Sequence, residues 1–478
     1  MLLGTEVDGT NDSAIFSEGK NGNRLGLVAR EGEAAVGAEV HFLNLGDPLL
    51  DGSGNTAFFS QLQEGGSIDR GIFSEGNGIG PTLVARSGDA ALGAGVNFSG
   101  FGDPVFNSSG LLAFTNMLRG AGVNNRNDLA ILRGREKNAF ALVAREGDAA
   151  PGTPTGVSFG GQFTFGDPVL NSRGQTAFLS RLVGAEIGNS FNRGLFLAGS
   201  NGGLELLVRV GDPAPDTGTG ITFGSVSNPA INDNGLTAFQ ARLTGTGVDG
   251  TNQYAIYSEG GGNGLALVTR TGDQAPGTNT GVNFRFLNSP VINGSGQAAF
   301  RASLTGVGSG SLSKSGIFKE NPDGILVKVA RDGDIAPGTN AGITFGGRAA
   351  FGDPVLNSKG QTAFMGFLNG GRGIFAEDAK GMLQLIARTG QLLDVSDDPL
   401  TPDFRTVNDL KFFTGSGNED GRRSGFNNLG QLAFFASFTD GSSGIFLSNL
   451  VAIPEPATVI MLVMGTVFIL VHPRMSKS

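Results

Sequence analysis

Apolar residues in this chain alternate with polar ones in short runs. Phe239, Ala241 and Leu243 fall on one side of an extended segment and Gln240 and Arg242 on the other; Phe300/Ala302/Leu304 and Phe434/Ala436/Phe438 repeat the order. Period two over so few residues predicts strands with one buried face. The large-small-large order suits sheets packed face to face at about 10 Å, because the small residue lets the neighbouring sheet approach.

Each of these strands follows the same turn. An Asn-x-x-Gly-x-x-Ala-Phe string stands at Asn107/Gly110/Phe114, Asn171/Gly174/Phe178, Asn232/Gly235/Phe239, Asn293/Gly296/Phe300, Asn357/Gly360/Phe364 and Asn427/Gly430/Phe434, with Asp51/Gly54/Phe58 as a variant. The asparagine predicts an Asx turn closed on its own backbone, and the glycine a positive φ that other residues resist.

Three further strand signals complete the unit. A Gly/Ala-Ile-Phe run such as Ile72-Phe73 or Ile317-Phe318 comes first. A Leu-Val-Ala-Arg run follows, ending at Arg30, Arg86, Arg145, Arg209, Arg270, Arg331 and Arg388 at intervals of about 60 residues. After an x-Gly-Asp loop rich in turn formers, the next strand is expected at Val96-Asn97-Phe98, Phe163-Thr164-Phe165, Ile221-Thr222-Phe223, Val282-Asn283-Phe284 and Ile343-Thr344-Phe345.

Four strands per unit and seven units predict an all-β repeat protein, a β-propeller of seven four-stranded blades, with eight blades as the second choice. Closing the array removes open sheet edges. A β-helix of about three coils per unit is the competing arrangement, and immunoglobulin-like sandwiches, at about 100 residues each, fit poorly. The repeat domain is expected over residues 1–450, a linker over 451–456 and a C-terminal segment over 457–478.

Composition agrees with many short strands and tight turns: of 478 residues, 81 are Gly and 19 Pro. The apolar anchor is Phe, with 36 copies against two Tyr and no Trp. A net charge of −9 without a basic cluster argues against nucleic-acid partners. Zero cysteines exclude disulfides and thiolate chemistry, and two histidines, His41 and His472, leave little for histidine-based catalysis.

Candidate chemistry is correspondingly thin. The repeated Arg-x-Gly-Asp, as in Arg86/Asp89 and Arg145/Asp148, reads as a structural pairing across a turn, since a catalytic site rarely needs seven copies. The seventh unit grows a long loop between Thr389 and Phe426. Asp394, Asp397, Asp398 and Asp403 in that loop are candidate calcium ligands, as is the Asp249-Gly250-Thr251-Asn252 turn, though neither has the full EF-hand pattern. Asn418-Glu419-Asp420 forms a second acidic patch there. No catalytic residue and no other cofactor is expected.

After Leu450 the chain reads Pro454-Glu455-Pro456, then fifteen uncharged residues from Ala457 to Val471, then Arg474 and Lys477. This tail resembles the PEP-CTERM sorting signal, with sparser basic residues than that family usually shows. The resemblance implies an exosortase-type processing enzyme as partner, export, a C-terminal helix in the membrane before processing, and delivery to the cell surface or extracellular matrix. The body is similar to the tandem-repeat proteins with Asn-x-x-Gly-x-x-Ala-Phe units that carry varied C-terminal anchors, which implies no activity. With few histidines and near-identical units, the chain is expected to be a non-enzymatic binding or structural propeller, with extracellular polysaccharide among its partners. The alternative is a secreted propeller enzyme acting on polysaccharide.

Leu2 to Glu18 aligns without gaps on Leu243 to Glu259 and shows no signal peptide, so a half-repeat and a signal peptide are expected upstream of Met1.

Overall fold

A computed structural model describes residues 7–19, 25–37, 40–64, 67–76, 80–92, 95–185, 187, 192–306, 314–347, 350–396, 400–416, 419–452 and 468–471. The chain is all-β, a seven-bladed propeller arrangement of four-stranded sheets, with a two-stranded sheet of Ala14–Ser17 and Gly26–Arg30 besides. Among the described residues no helix is long and apolar enough to cross a membrane.

The second blade shows how the repeat becomes a sheet. Val96–Phe101 and Val105–Phe106 both pair with Leu112–Gly120, the first along its end and the second along its start. They are one inner strand interrupted at Gly102-Asp103-Pro104, where proline has no N–H to donate to the ladder. Leu112–Gly120 then pairs with Leu129–Gly134, and that with Phe140–Arg145 on the outside.

The Asn-x-x-Gly turn closes the inner pair. Asn171 Oδ1 accepts the Arg173 and Gln175 N–H groups at 3.1 and 2.9 Å, and Gly174 N donates to Asn171 O at 3.0 Å with Gly174 at φ 80°. The motif phenylalanines Phe114, Phe178, Phe239, Phe300 and Phe364 are fully buried and Phe434 is 4% exposed. Each such ring contributes roughly 1.5–3 kcal/mol by leaving water.

By compactness the chain divides into two units. The first comprises residues 1–213, 222–235 and 419–422, and the second 214–221, 236–418 and 423–478. Within the first, Asn107 Nδ2 donates to Asn171 O at 2.7 Å and Asn171 Nδ2 to Asn232 O at 2.9 Å, so each turn fastens the next. Within the second, Asn293 reaches Asn357 O and Asn357 reaches Asn427 O, both at 3.0 Å.

The acidic stretch of the long loop belongs to the first unit, where Glu419 and Asp420 are 2% and 1% exposed. Leu170 N donates to Asp420 O at 3.0 Å and Phe106 N to Gly421 O at 2.9 Å, giving inner-strand edges the partners that buried N–H groups require. Gly421 sits at φ 73°, and a Cβ there would lie 3.0 Å from Leu170 O and 3.2 Å from Phe106 N.

Three expectations meet the structure differently. The first, positive φ at the motif glycines, holds and is only half of the reason for them. Gly110, Gly235, Gly296, Gly360 and Gly430 do stand at φ 78°, 83°, 81°, 77° and 76°. They are also points of close approach. A Cβ on Gly110 would lie 3.0 Å from Gly76 O and one on Gly430 2.5 Å from Val451 O, and at Gly296 it would run into the backbone of Gly260. At Gly235 and Gly360 it would meet the amide ends of Gln175 and Gln297, at 2.6 and 2.8 Å. Glycine is therefore required by neighbouring segments as well as by the turn, and such contacts are invisible in a local motif.

The second correction concerns the third blade, which opens at Ser158–Phe159, not at Phe163-Thr164-Phe165. The chain there carries a longer link, Gly160 to Phe165, before Gly166-Asp167-Pro168, and period-two reading locked onto the second of two Phe-containing triplets. Third, the C-terminal helix expected from Ala457 lies largely outside the described residues, as do Pro454, Glu455 and Pro456. The four residues that are described, Phe468–Val471, form a strand antiparallel to Ser443–Ser448, whose free edge offers the backbone partners that an apolar β-branched run takes up.

Candidate functional site

The x position of Arg-x-Gly-Asp lies directly after the outer strand, where its backbone N–H reaches across to the preceding strand. Ser87, Thr271 and Thr389 fill it in three units and exchange hydrogen bonds with the backbone of Arg70, Tyr254 and Arg372. In the second blade the residue is Glu146, whose N–H donates to Leu129 O at 2.9 Å. Its side chain is 4% exposed and faces Asp128, the residue just before the third strand of that blade.

The link between Ser158–Phe159 and Gly166 folds over this pair. Thr164, 1% exposed, donates its hydroxyl to Glu146 Oε1 at 2.8 Å, and Gly161 offers its backbone N–H. Glu146 Oε2 is buried and meets no donor among the described residues. A second carboxyl beside an oxygen with no donor is an arrangement that a shared proton satisfies.

The electrostatics agree. Burial pushes the Glu146 carboxyl above its ordinary range; the Thr164 hydroxyl opposes that, and hydrogen bonding and repulsion from Asp128 push it further up. Burial also raises the Asp148 carboxyl, with Arg145 opposing. Asn124, Arg126, Asn127, Arg145, Gly147 and Asp148 line the cleft of about 300 Å³ around Glu146. The Arg145 guanidinium is anchored by Nε donating to Asn127 O at 2.9 Å.

Phe163 stands on the same link at φ 57° with 81% of its surface exposed. Left-handed backbone costs an L-residue roughly 1–2 kcal/mol, and a bulky side chain rarely adopts it. Two bonds hold the loop in that shape, Arg181 N donating to Thr164 O at 2.7 Å and Arg181 Nη1 to Gln162 O at 2.8 Å, and the Thr164 hydroxyl, shared with Glu146, also lies 2.6 Å from Gly161 O.

The residues singled out in the sequence serve the scaffold. The motif asparagines and the glycines Gly110, Gly174, Gly235, Gly296, Gly360 and Gly430 shape turns, and none of them lines the cleft around Glu146. The Arg-x-Gly-Asp pairing across the turn is present at Arg209 and Asp212, 3.6 Å apart, while Arg86 also meets Asp69 at 2.6 Å and Asp89 meets Lys137 at 2.9 Å. Of the candidate calcium ligands, Asp394 Oδ1 accepts the Ser396 and Asp403 N–H groups, and Asp403 pairs with Arg405 at 2.6 Å. Asp397 and Asp398 lie outside the described residues. Asp249 accepts the Thr251 N–H and hydroxyl at 2.8 and 2.6 Å, bonds that hold its carboxyl below the usual range. Among the described residues no three acidic or histidine side chains gather as a metal site would need.

Glu146 escaped sequence reading because it occupies a repeated slot. The signal was available: Asp12 and Glu31 hold the same two positions in the two-stranded sheet, but Glu31 is only partly buried. Burial at Glu146 comes from the inserted link, whose contact with the preceding loop depends on the fold.

A family model described as a family of unknown function, DUF7453, matches residues 1–213 and 190–460. No curated protein matches the sequence. Among solved structures the chain is similar to the polysaccharide lyase Uly1, at 9% identity and TM-score 0.39 over 92% of this chain and 98% of that one. A eukaryotic initiation factor gives 10% identity and TM-score 0.37 over 92% and 94%. The α-L-arabinofuranosidase Arb93A from Fusarium graminearum gives 12% and 0.30 over 64% and 87%. The expectation that the chain is not an enzyme finds no support among these neighbours, which also include a galactosidase and a galactanase; at such identities they show the fold alone. That expectation rested on the few histidines and the sameness of the units, and Glu146 is a buried departure from that sameness.

Proposed function

We propose that this chain, which belongs to the DUF7453 family of unknown function, is an exported propeller that acts on an extracellular polysaccharide, with Glu146 and Asp128 as its proton-transfer centre. The observation that carries the reading is the buried Glu146 oxygen without a donor, on a residue that faces Asp128 and lines a cleft with Asn124, Arg126 and Asn127. A carboxyl that holds its proton above its ordinary range can give it to a leaving oxygen or, once ionised, take one from carbon or water.

Sharing one proton between the two carboxyls would limit the chemistry. Glycoside hydrolysis by two separate carboxylates needs them about 5 to 9.5 Å apart. A pair close enough to share a proton acts as one acid or base, as two aspartates do when like charges cannot both ionise. The exposed Arg126 guanidinium offers donors that sugar hydroxyls require, while the Asn124 and Asn127 amides close the turn that carries it.

The address follows from the tail: the Pro454-Glu455-Pro456 string, apolar segment and basic end support sorting by an exosortase-type enzyme to the cell surface or matrix. Incubating the purified protein with a panel of neutral and acidic polysaccharides, and following new reducing ends and unsaturated products, tests the activity. Cleavage lost in Glu146→Gln is expected; cleavage retained in that variant, or none by the wild type on any substrate, overturns the reading. Protease added to intact cells should remove the repeat domain, and full protection would overturn the address.

A further inference from the structure

We infer that the Gly160 to Phe165 link is a sugar-binding platform on which the Phe163 ring stacks against a pyranose unit of the polysaccharide. The inference rests on the proposed polysaccharide substrate but uses a different group from the one that transfers the proton. Phe163 is 81% exposed, whereas Phe159 and Phe165 on either side of it are 1% exposed and partly buried. Its exposure is built in. Thr164 is tied to Glu146 and Gly161, and Arg181 donates to Gln162 O from its guanidinium and to Thr164 O from its backbone, so the intervening ring points into solvent from a left-handed backbone. A bulky residue held in such a conformation marks a place where something other than folding is served.

The surroundings select the ligand class. The residues exposed next to Phe163 are Gly161 and Gln162, and Arg181 and the partly exposed Val183 lie against the same link. One aromatic face among polar groups matches a sugar ring, which presents C–H groups on its faces and hydroxyls around its rim. A protein interface would instead need an apolar cluster around the ring.

Native gel electrophoresis through laminarin, xylan, alginate or hyaluronan measures binding without turnover when run with the Glu146→Gln variant. At least one polymer should retard it, with Phe163→Ala weakening retention about tenfold, equivalent to one good aromatic contact, and Phe163→Tyr restoring it. Equal retention of Phe163→Ala and wild type, or no retardation by any polymer, overturns the platform. Loss of a self-associated form in Phe163→Ala, seen by analytical ultracentrifugation, also overturns it by making the ring a subunit contact. The two readings separate cleanly. Phe163-dependent retention without cleavage leaves the platform standing and removes the catalytic reading, and cleavage with an unchanged KM in Phe163→Ala does the reverse.

Discussion

The junction that carries Glu146 and the junction that carries Asp332 share a scaffold and differ in chemistry. Each follows an outer strand ending in arginine and leads into a lengthened inner link, Gly160 to Phe165 in one and Gly346 to Phe351 in the other. Each junction gathers four phenylalanines. Phe159 and Phe165 lie 5.7 Å apart, as Phe345 and Phe351 lie 5.1 Å apart; Phe178 stacks on Phe196 at 5.7 Å and 18°, as Phe364 stacks on Phe375 at 6.0 Å and 22°. Arg181 N reaches Thr164 O in the first and Phe367 N reaches Ala350 O in the second.

On this common frame the acidic residue meets opposite partners. Lys314 Nζ lies 3.4 Å from Asp332, an ordinary ion pair that neutralises the acid. Asp128 holds the corresponding place beside Glu146, and Thr164 stands where the other junction has the buried Ala350. The lesson is that the repeat keeps what folding requires, the ring quartet and the strand register, and leaves the residues between strands free to carry chemistry.

The largest effect tests the shared scaffold. Phe178→Ala and Phe364→Ala should each cost about 3–5 kcal/mol in urea denaturation, because both remove a fully buried ring from the same quartet. Costs that differ by more than about 2 kcal/mol would break the equivalence of the two frames.

Next comes the difference in chemistry. Glu146→Gln should lower turnover of a cleaved polysaccharide about 100-fold or more, the usual contribution of a positioned acid or base. Asp332→Asn should leave turnover intact and cost at most about 1 kcal/mol of stability, as expected for a partly exposed ion pair. Equal loss of activity in both variants would show that the carboxyl pair has no special role.

The third test uses pH. The folded state raises the Glu146 carboxyl above its ordinary 4.5, so the fold retains a proton that the unfolded chain releases. That contribution is complete below 4.5 and is lost as pH rises through the folded value. Above 4.5 the wild type should therefore lose stability relative to Glu146→Gln, by up to about 1.4 kcal/mol per pH unit within that window. Parallel denaturation midpoints across pH would remove the shared proton from the account.

The smallest effect concerns Phe163. Phe163→Gly should raise stability by about 1 kcal/mol, since glycine adopts the left-handed backbone without the Cβ penalty and the lost ring is exposed. A fall in melting temperature would mean that the ring packs in solution and the platform is misassigned.

The sequence by itself determined the four-strand unit, its seven copies and the buried faces, because a strand pattern of period two and an Asn-x-x-Gly turn are local properties of a few consecutive residues. Phe114, Phe178, Phe239, Phe300 and Phe364 could be placed in the core on that basis alone. Only the tertiary structure decided what the residues between strands do. Asn107 and Asn171 each fasten the next turn, 61 to 64 residues further along, and Gly296 and Gly430 leave room for the backbone of Gly260 and Val451. Gly421 meets Leu170 and Phe106 from far along the chain, and Glu146 becomes a buried acid because Thr164, 18 residues away, closes over it. Burial and proximity set the carboxyl's proton affinity, and neither is a property of the string in which the residue stands.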